Sequence, residues 1–468
     1  MSEKKKKLKL KAPNAMLILV IIVLASAIAS YVVPAGLYDR VADPATGRML
    51  VNPDTFHYID QTPIGFFEFF ESLTIGLQNS GYIIFFLLII GGVFGIMDAT
   101  GALHVGMANL IKKMAGKEIL LVPICMVVFG LGSACAGNFE EFLAFFPLMV
   151  TVCLAMGFDS MTAMGIVWMA AACGYSGGFT NAFTVGVAQG IAGLPLFSGM
   201  WLRIAAFVAF LSVSIVYVTM HAIKVRKNPE SSPVYEEDKT HIVNIDVYNV
   251  PKLTIRHKLV LLILVGSVVA LIVGVTQFGF YIDELSAVFL IAGVLAGIVG
   301  GLKPGEMTDE FIKGCGNLLW AGMAIGLCGA ATYILQSTNI IDTVIHFMSG
   351  LLQGLPAALS ACGMFVVQNI LNILIPSGSG QAAVTMPIMA PLSDVLGVTR
   401  QTAVLAFQFG DSFTNVVTPT CATLMAALSM AKVSWGKWIK FLAPLYAVWV
   451  VITFAFLIFA VKVGYGPF

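Results

Sequence analysis

Apolar runs long enough to cross a bilayer recur along this chain, and they decide what it can become. They lie near 14–33, 81–97, 119–136, 140–156, 160–195, 200–222, 258–278, 284–301, 317–336, 357–376, 381–396, 400–430 and 439–463. A hydrocarbon core about 30 Å thick needs about 20 apolar helical residues. Backbone groups in lipid must be satisfied inside the segment, so helices are predicted; a closed barrel would show short alternating strands instead. Composition agrees. Of 468 residues 58% are hydrophobic and 11% charged, against roughly 25% charged in a soluble domain. The expected surroundings are a lipid bilayer, and a net charge of +1 gives no reason to expect a nucleic-acid partner.

Metal, redox and enzyme chemistry find little support. The eight cysteines sit singly in apolar stretches with no CxxC pair, and read as small buried hydrophobes. The six histidines show no HxxxH spacing, and no GxxxxGK[ST] phosphate loop occurs. No metal site, no cofactor and no catalytic residue is expected, beyond Na⁺ or H⁺ as a coupling ion.

The chain opens MSEKKKKLKLK, then runs apolar from Asn14 to Val33. That run is long for a signal peptide and many spans follow, so residues 1–13 are read as a basic cytoplasmic N-terminus before a retained helix. The longest polar insert, Lys224 to Lys258, carries Lys224, Arg226, Lys227, Lys239, Lys252, Arg256 and Lys258. By the positive-inside rule it is cytoplasmic. The predicted organisation is a first membrane repeat at 14–222, a cytoplasmic linker at 223–257, a linking helix at 258–278 and a second, inverted membrane repeat at 284–463.

The halves match. Phe146-Pro147-Leu148-Met149 resembles Met386-Pro387-Ile388-Met389, Gly157 pairs with Gly397, and Thr162-Ala163 with Thr402-Ala403, all at an offset of 240. Phe179-Thr180-Asn181-x-x-Thr184 matches Phe413-Thr414-Asn415-x-x-Thr418 at 234, and Thr100 falls on Thr338 at 238. A nearly constant offset is the mark of an internal repeat. Charge orients each copy. Lys112, Lys113 and Lys117 follow the first copy's helix, whereas no Lys or Arg occurs from Gly314 to Thr399. Lys432, Lys437 and Lys440 follow the second broken segment, whereas uncharged GLPLFSG follows the first. The copies are expected to be inverted, as in many secondary transporters.

Two kinds of interruption recur. Gly, Ser, Asn and Pro break the apolar sequence at Ala136-Gly137-Asn138 and at Pro376-Ser377-Gly378-Ser379-Gly380-Gln381. Short apolar arms flank each break, which predicts re-entrant hairpins at about 119–156 and 357–396; two ordinary spans with a surface turn are the plainer reading. Gly174 to Gly190 and Gly410 to Thr420 interrupt later runs, which predicts discontinuous helices at about 160–195 and 400–430. Free carbonyls with Thr and Asn oxygens suit a hard cation, and free N–H groups suit a carboxylate. The plainer reading is that Thr and Asn only bind helices together.

Ionisable groups at membrane depth are costly, so Glu140, Glu141 and Asp411 are candidates for the site. Gln381 stands where the first copy has Glu141, which would leave extra negative charge for a cationic group. The expected substrate-binding set is Asn138, Glu140, Glu141, Asn181, Thr184, Ser377, Ser379, Gln381, Asp411, Asn415 and Thr418. A cation would take Thr180, Asn181, Asp411, Thr414, Asn415 and Thr420. Asp98 and Gln336 are read as interfacial, His346 as solvated or core, and Phe66 to Phe70 as an interfacial helix.

PAGLYDR, GNFEEFLAFFPLM, GGFTNAFTVGVAQGIAGLP and FQFGDSFTNVVTPT together resemble the YfcC-like basic amino acid antiporter family, relatives of the anaerobic four-carbon dicarboxylate carriers within the ion transporter superfamily. The resemblance spans nearly the whole chain. It implies an all-α elevator transporter of the bacterial inner membrane, a scaffold that forms a homodimer, and exchange of arginine for ornithine or another amino acid. The paired Asn-Thr turns of the superfamily fall on Thr180, Asn181 and Thr184 and on Thr414, Asn415 and Thr418. The tips here read Ala-Gly-Asn and Ser-Gly-Ser, a departure from the superfamily's paired Ser-Asn-Thr pattern. Cation-coupled symport of dicarboxylates or other small carboxylates is the alternative. A channel or receptor has less support, since the polar insert is too short for a folded domain.

Overall fold

Residues 15–466 are described by a computed structural model, except 43–48, 104, 107, 108, 110–115, 138, 241–251, 279 and 281. Lys112, Lys113, Asn138 and the basic N-terminus therefore lie outside the described residues. α1 (Ala15–Val32) leads into two small antiparallel ribbons, β1 (Gly36–Leu37) with β4 (His57–Tyr58) and β2 (Arg40–Ala42) with β3 (Met49–Val51). The all-helical expectation omitted them. PAGLYDR forms part of this ribbon because Asp342 holds it: its carboxylate accepts the Tyr38 N–H at 3.0 Å and pairs with Arg40 at 3.0 Å. His346 stacks on Phe56 at 3.9 Å and bonds the Tyr38 hydroxyl at 3.1 Å, a packing role.

The rest is helix. α2 (Phe66–Asn79) and α3 (Gly81–Ala99) precede α4 (Leu121–Ala136), a 3₁₀ turn (Glu140–Phe145) and α5 (Phe146–Ala155). α6 (Ser160–Met164) continues through a π-helical segment (Gly165–Met169) into α7 (Ala170–Ser176). After a break, a second π-helical segment (Ala182–Gly186) leads into α8 (Val187–Ile191), then α9 (Met200–Lys227). α10 (Tyr235–Asp238), α11 (Ile255–Phe278) and α12 (Ile282–Gly300) cross to the second half. There α13 (Pro304–Ser337), α14 (Ile341–Gly350), α15 (Ala357–Leu374), α16 (Gly378–Val395), α17 (Arg400–Thr414), α18 (Ala422–Met430) and α19 (Trp435–Lys462) follow. Among the described residues six helices are long and apolar enough to cross a membrane, seven with α13, which bends by 42°. Phe66, Phe67 and Phe70 point outward from α2, as an interfacial helix would place them.

The order of elements recurs. α13 starts at Pro304, 238 residues after Phe66 starts α2, and ends at Ser337, 238 after Ala99 ends α3. Its bend, between Trp320 and Gly322, falls within a turn of the point that answers the division of α2 and α3. α15 and α16 then answer α4 and α5, and α17 and α18 answer α6 to α8.

Packing divides these helices between two groups. α13 lies along α1, α2 and α3, and α12 packs on α3 and α11. α4 packs on α7 and α15 on α17; α9 leans on α4 and α7, α19 leans on α15 and α17, and α9 and α19 touch each other. α7 and α17 cross, bound by Ser176 Oγ to Ser412 Oγ at 2.7 Å. Every residue from 160 to 176 is buried, which explains why this run is apolar all round. The main seam between the groups is α13 against α18.

The linker is docked at one end of the second group. Asp159 caps α6, accepting from Thr162 N–H (2.8 Å) and from Ser232 (2.7 Å), and bonds His221 (2.9 Å). Asp238 accepts the Ser160 N–H at 3.1 Å, Glu237 pairs with Lys437 on α19, and Arg226 pairs with Glu118 at 2.9 Å. Burial, which Ser160's bonds only partly offset, raises the Asp238 carboxyl to about 6, and Asp159 and Glu237 add to the rise. Burial also disfavours Asp159 ionisation, but bonds from His221, Thr162 and Ser232 outweigh it and hold its pKa low.

A raised carboxyl pKa stabilises the docked state below the ordinary value of about 3.9, and loses that contribution as pH rises through about 6. Asp238→Asn should therefore tighten linker docking at pH 7 and flatten its change between about pH 4 and 6. Hydrogen exchange at 232–240, compared with wild type at each pH, tests this; equal protection at pH 7 would refute it. Asp159→Ala should act oppositely, loosening the cap by about 0.5–2 kcal/mol at pH 7.

Candidate functional site

The two helix breaks and the turns that end α4 and α15, the first and second tips, are held against one another. α4 ends at Gly137, whose φ of 78° is one that glycine adopts without strain. A Cβ there would lie 2.5 Å from Asn181 Oδ1, so the first tip rests on the first break. A Cβ on Gly378 would lie 2.6 Å from Thr184 Cγ2, 2.9 Å from the Tyr175 hydroxyl and 3.0 Å from Asp411 Oδ2. Both broken helices thus meet at one glycine at the start of α16.

A cavity of about 410 Å³ opens beside them. One part of its wall is Glu140, Glu141, Phe139 and Tyr175; another is Ser377, Gly378, Ser379 and Gly380 at the N-terminus of α16. Asn415 and Thr420 come from the second break, and Tyr82, Tyr333 and Gln336 from α3 and α13. Gln336 is thus at the cavity rather than merely interfacial. A carboxylate pair and a helix N-terminus in one 410 Å³ space attract opposite charges. Glu141 is buried, and its Oε2 accepts the Phe139 N–H at 3.0 Å, which fixes the carboxylate at the tip. A larger, apolar recess of about 700 Å³ adjoins, lined by α1, α13 and α19, and shares Thr332 and Thr420 with the first.

Of the sequence-derived residues, Glu140, Glu141, Ser377, Ser379, Asn415 and Thr420 line the polar cavity. Asn181, Thr184 and Asp411 sit behind it, at the Gly378 contact or the first tip. The others are engaged elsewhere. Gln381 bonds the Gln368 carbonyl (2.9 Å) and side chain (2.6 Å) and accepts from Asn372 at 2.8 Å. Thr414 bonds Asn369 at 2.8 Å and the Gly410 carbonyl at 2.9 Å. Thr180 bonds the Cys135 carbonyl at 2.8 Å, and Thr418 meets Thr420 at 2.8 Å while facing the apolar recess.

Sequence reading missed the residues that hold the site. Asn372 joins Gln381 to Asp411, whose Oδ1 it reaches at 2.7 Å. Gln368 and Asn372, four apart in apolar α15, were the available signal. Gln408 donates to the Tyr175 and Gly178 carbonyls at 3.0 and 2.9 Å, capping the first break from the other half. Four buried oxygens around the Gly378 contact accept no hydrogen bond among the described residues: Thr184 Oγ1, Asn372 Oδ1, Asp411 Oδ2 and Asn415 Oδ1.

Long apolar helices enclosing a polar cavity, with interrupted helices at its wall, define a multi-pass membrane carrier. Residues 12–462 match the family model described as C4-dicarboxylate anaerobic carrier, DcuC, and the chain belongs to that family. A protein of Escherichia coli (strain K12) named "Putative basic amino acid antiporter YfcC" is 32% identical over 97% of each chain. An uncharacterized protein of Haemophilus influenzae is 28% identical over 84% of this chain and 78% of its own. The chain is thus a secondary transporter of the DcuC and YfcC type. Among solved structures, the Alcanivorax borkumensis YdaH transporter aligns with 97% of this chain and 100% of its own (TM-score 0.43, 17% identity). Neisseria gonorrhoeae MtrF, from a class of antimetabolite efflux pumps, aligns with 96% and 95% (TM-score 0.41, 18% identity).

Gly378→Ala should force the tip off Thr184, costing about 1–3 kcal/mol of stability and most of the uptake. Gly316→Ala, where a Cβ meets nothing within 4 Å, is the control. Thermal unfolding and uptake by the two variants check this; wild-type values for Gly378→Ala would contradict the packing.

Proposed function

We propose that the protein exchanges amino acids bearing a cationic side chain, of the arginine and ornithine kind, across the bacterial inner membrane, with its N-terminus in the cytoplasm. The observation that carries this is one cavity bearing two glutamates and the N-terminus of α16. The helix N-terminus takes the α-carboxylate, and Glu140 and Glu141 take the positive side chain. The name of the Escherichia coli relative agrees with this substrate class.

In this reading the recurring element order is an inverted repeat, the two hairpins are re-entrant, and the α4–α9 and α15–α19 group moves as one body. The helices α1–α3 and α11–α13 are the stationary scaffold and the dimer surface. The separate packing of the groups, with α13 against α18 as the main seam, supports an elevator-type displacement.

The alternative, cation-coupled uptake of a carboxylate, has its own support. The family description names four-carbon dicarboxylates. The four acceptor oxygens of Thr184, Asn372, Asp411 and Asn415 form an oxygen-only set that suits Na⁺, or a proton on Asp411. Thr180 and Thr414 would then act only in shaping the breaks.

Proteoliposomes loaded with ornithine and offered arginine should show exchange, and Glu140→Gln and Glu141→Gln should each weaken it. Loss of a charged hydrogen bond of about 1.5–3 kcal/mol corresponds to about a ten- to hundredfold loss. Unchanged exchange in both variants would remove the amino acid reading. Dicarboxylate uptake into empty vesicles, driven by a Na⁺ or proton gradient and abolished by Asp411→Asn, would establish the alternative.

A further inference from the structure

Two of the eight cysteines face the polar cavity, and they come from opposite sides of the seam. Cys328 lies on α13, and Cys421 caps α18 after the second break. Both are free thiols, each only 4% exposed. Cys328 Sγ meets the Pro419 carbonyl at 3.4 Å, two residues before Cys421. Both thiols thus stand at the same stretch of the cavity wall, one on each side of the seam. Cys421 Sγ rests 3.1 Å from Thr423 Oγ1, another cavity residue. The other six cysteines do not line this cavity.

We propose that Cys328 and Cys421 form a two-sulfur site for one soft, thiophilic cation of the Hg²⁺, Ag⁺ or Cu⁺ class, entered from the substrate cavity. Soft thiolates select such cations over the hard ions of the oxygen set near Asp411. Among the described residues no group of three or more His, Cys, Asp or Glu could hold a metal, so the site suits an ion content with two ligands. Each thiol releases its proton to cavity water as its sulfur–metal bond forms, and the metal keeps its oxidation state. The bridge ties α13 to the second break. Resting on the proposed function, where this seam slides, the bound ion arrests transport.

The test uses the full chain with exposed Cys135 replaced (Cys135→Ser) and HgCl₂ as the probe. Thiols left open to a maleimide after one equivalent are counted by intact mass and mapped by peptide. The expected result is loss of two thiols, at 328 and 421, reversed by a dithiol. In Cys328→Ser or Cys421→Ser the first equivalent masks one thiol at most. Loss of a single thiol in the parent chain, or loss mapped to other cysteines, overturns the site. Uptake is read separately, as the ratio with and without Hg²⁺ for each protein. A fall to the protein-free background in the parent, with little change in either serine variant, supports arrest at the seam. A mapped bridge with undiminished uptake leaves the metal site standing and overturns the arrest and the sliding seam behind it.

Discussion

A carbonyl freed where α7 ends has no donor in lipid, and a buried peptide group without a partner costs several kcal/mol. Each break in this protein is therefore closed by side chains and backbone from elsewhere in the chain. Gln408, on α17, covers the Tyr175 and Gly178 carbonyls. The Phe179 and Thr180 N–H groups turn to the Ala134 carbonyl at the end of α4. At the second break, Trp438 and Trp435 donate to the Val416 and Val417 carbonyls at 2.8 and 2.9 Å. Because donors for one break come from another helix, the broken helices cannot form singly. The first requires α17 against α7 and the second requires α19, and the two breaks meet where Gly378 touches Thr184 and Asp411.

The same requirement shapes the polar network behind the cavity. A buried amide is stable only when its bonds are filled. Gln368, Gln381, Asn372 and Asp411 fill one another's, with a few oxygens left over. Those oxygens are acceptors from three elements, the composition a hard cation demands. The cavity in front is different: carboxylates from one half, a helix N-terminus from the other. The acidic cavity and the unbonded oxygens thus occupy adjacent layers of one packed unit.

Much of this was legible in the sequence. Gly and Ser in apolar surroundings marked both tips, and the duplicated FTNxxT fell at both breaks, because backbone departures need residues that tolerate them. The nearly constant offset put Thr100 on Thr338, the residues that close α3 and α13, but gave no sign of the first arm of α13 that answers α2. Side-chain direction was not legible. At 3.6 residues per turn a neighbouring position points elsewhere, so Gln381 and Thr414 turned into packing while Thr420 reached the cavity. Gln408 and Asn372 were missed because a single amide in an apolar helix looks alike whether it caps another helix or faces water. The π-helical segments at Gly165–Met169 and Ala182–Gly186 left no mark, since widening a turn needs no special residue.

The docked linker has one more effect. It touches α6 and its cap Asp159 from the first half and α19 from the second, so the halves are joined by a short strap as well as by their buried contact. A strap of this length holds each half at a high effective concentration relative to the other. Matching halves of neighbouring copies, which carry the same faces, compete at a disadvantage. Pairing of the halves within one chain is thereby favoured over swapped pairings between molecules.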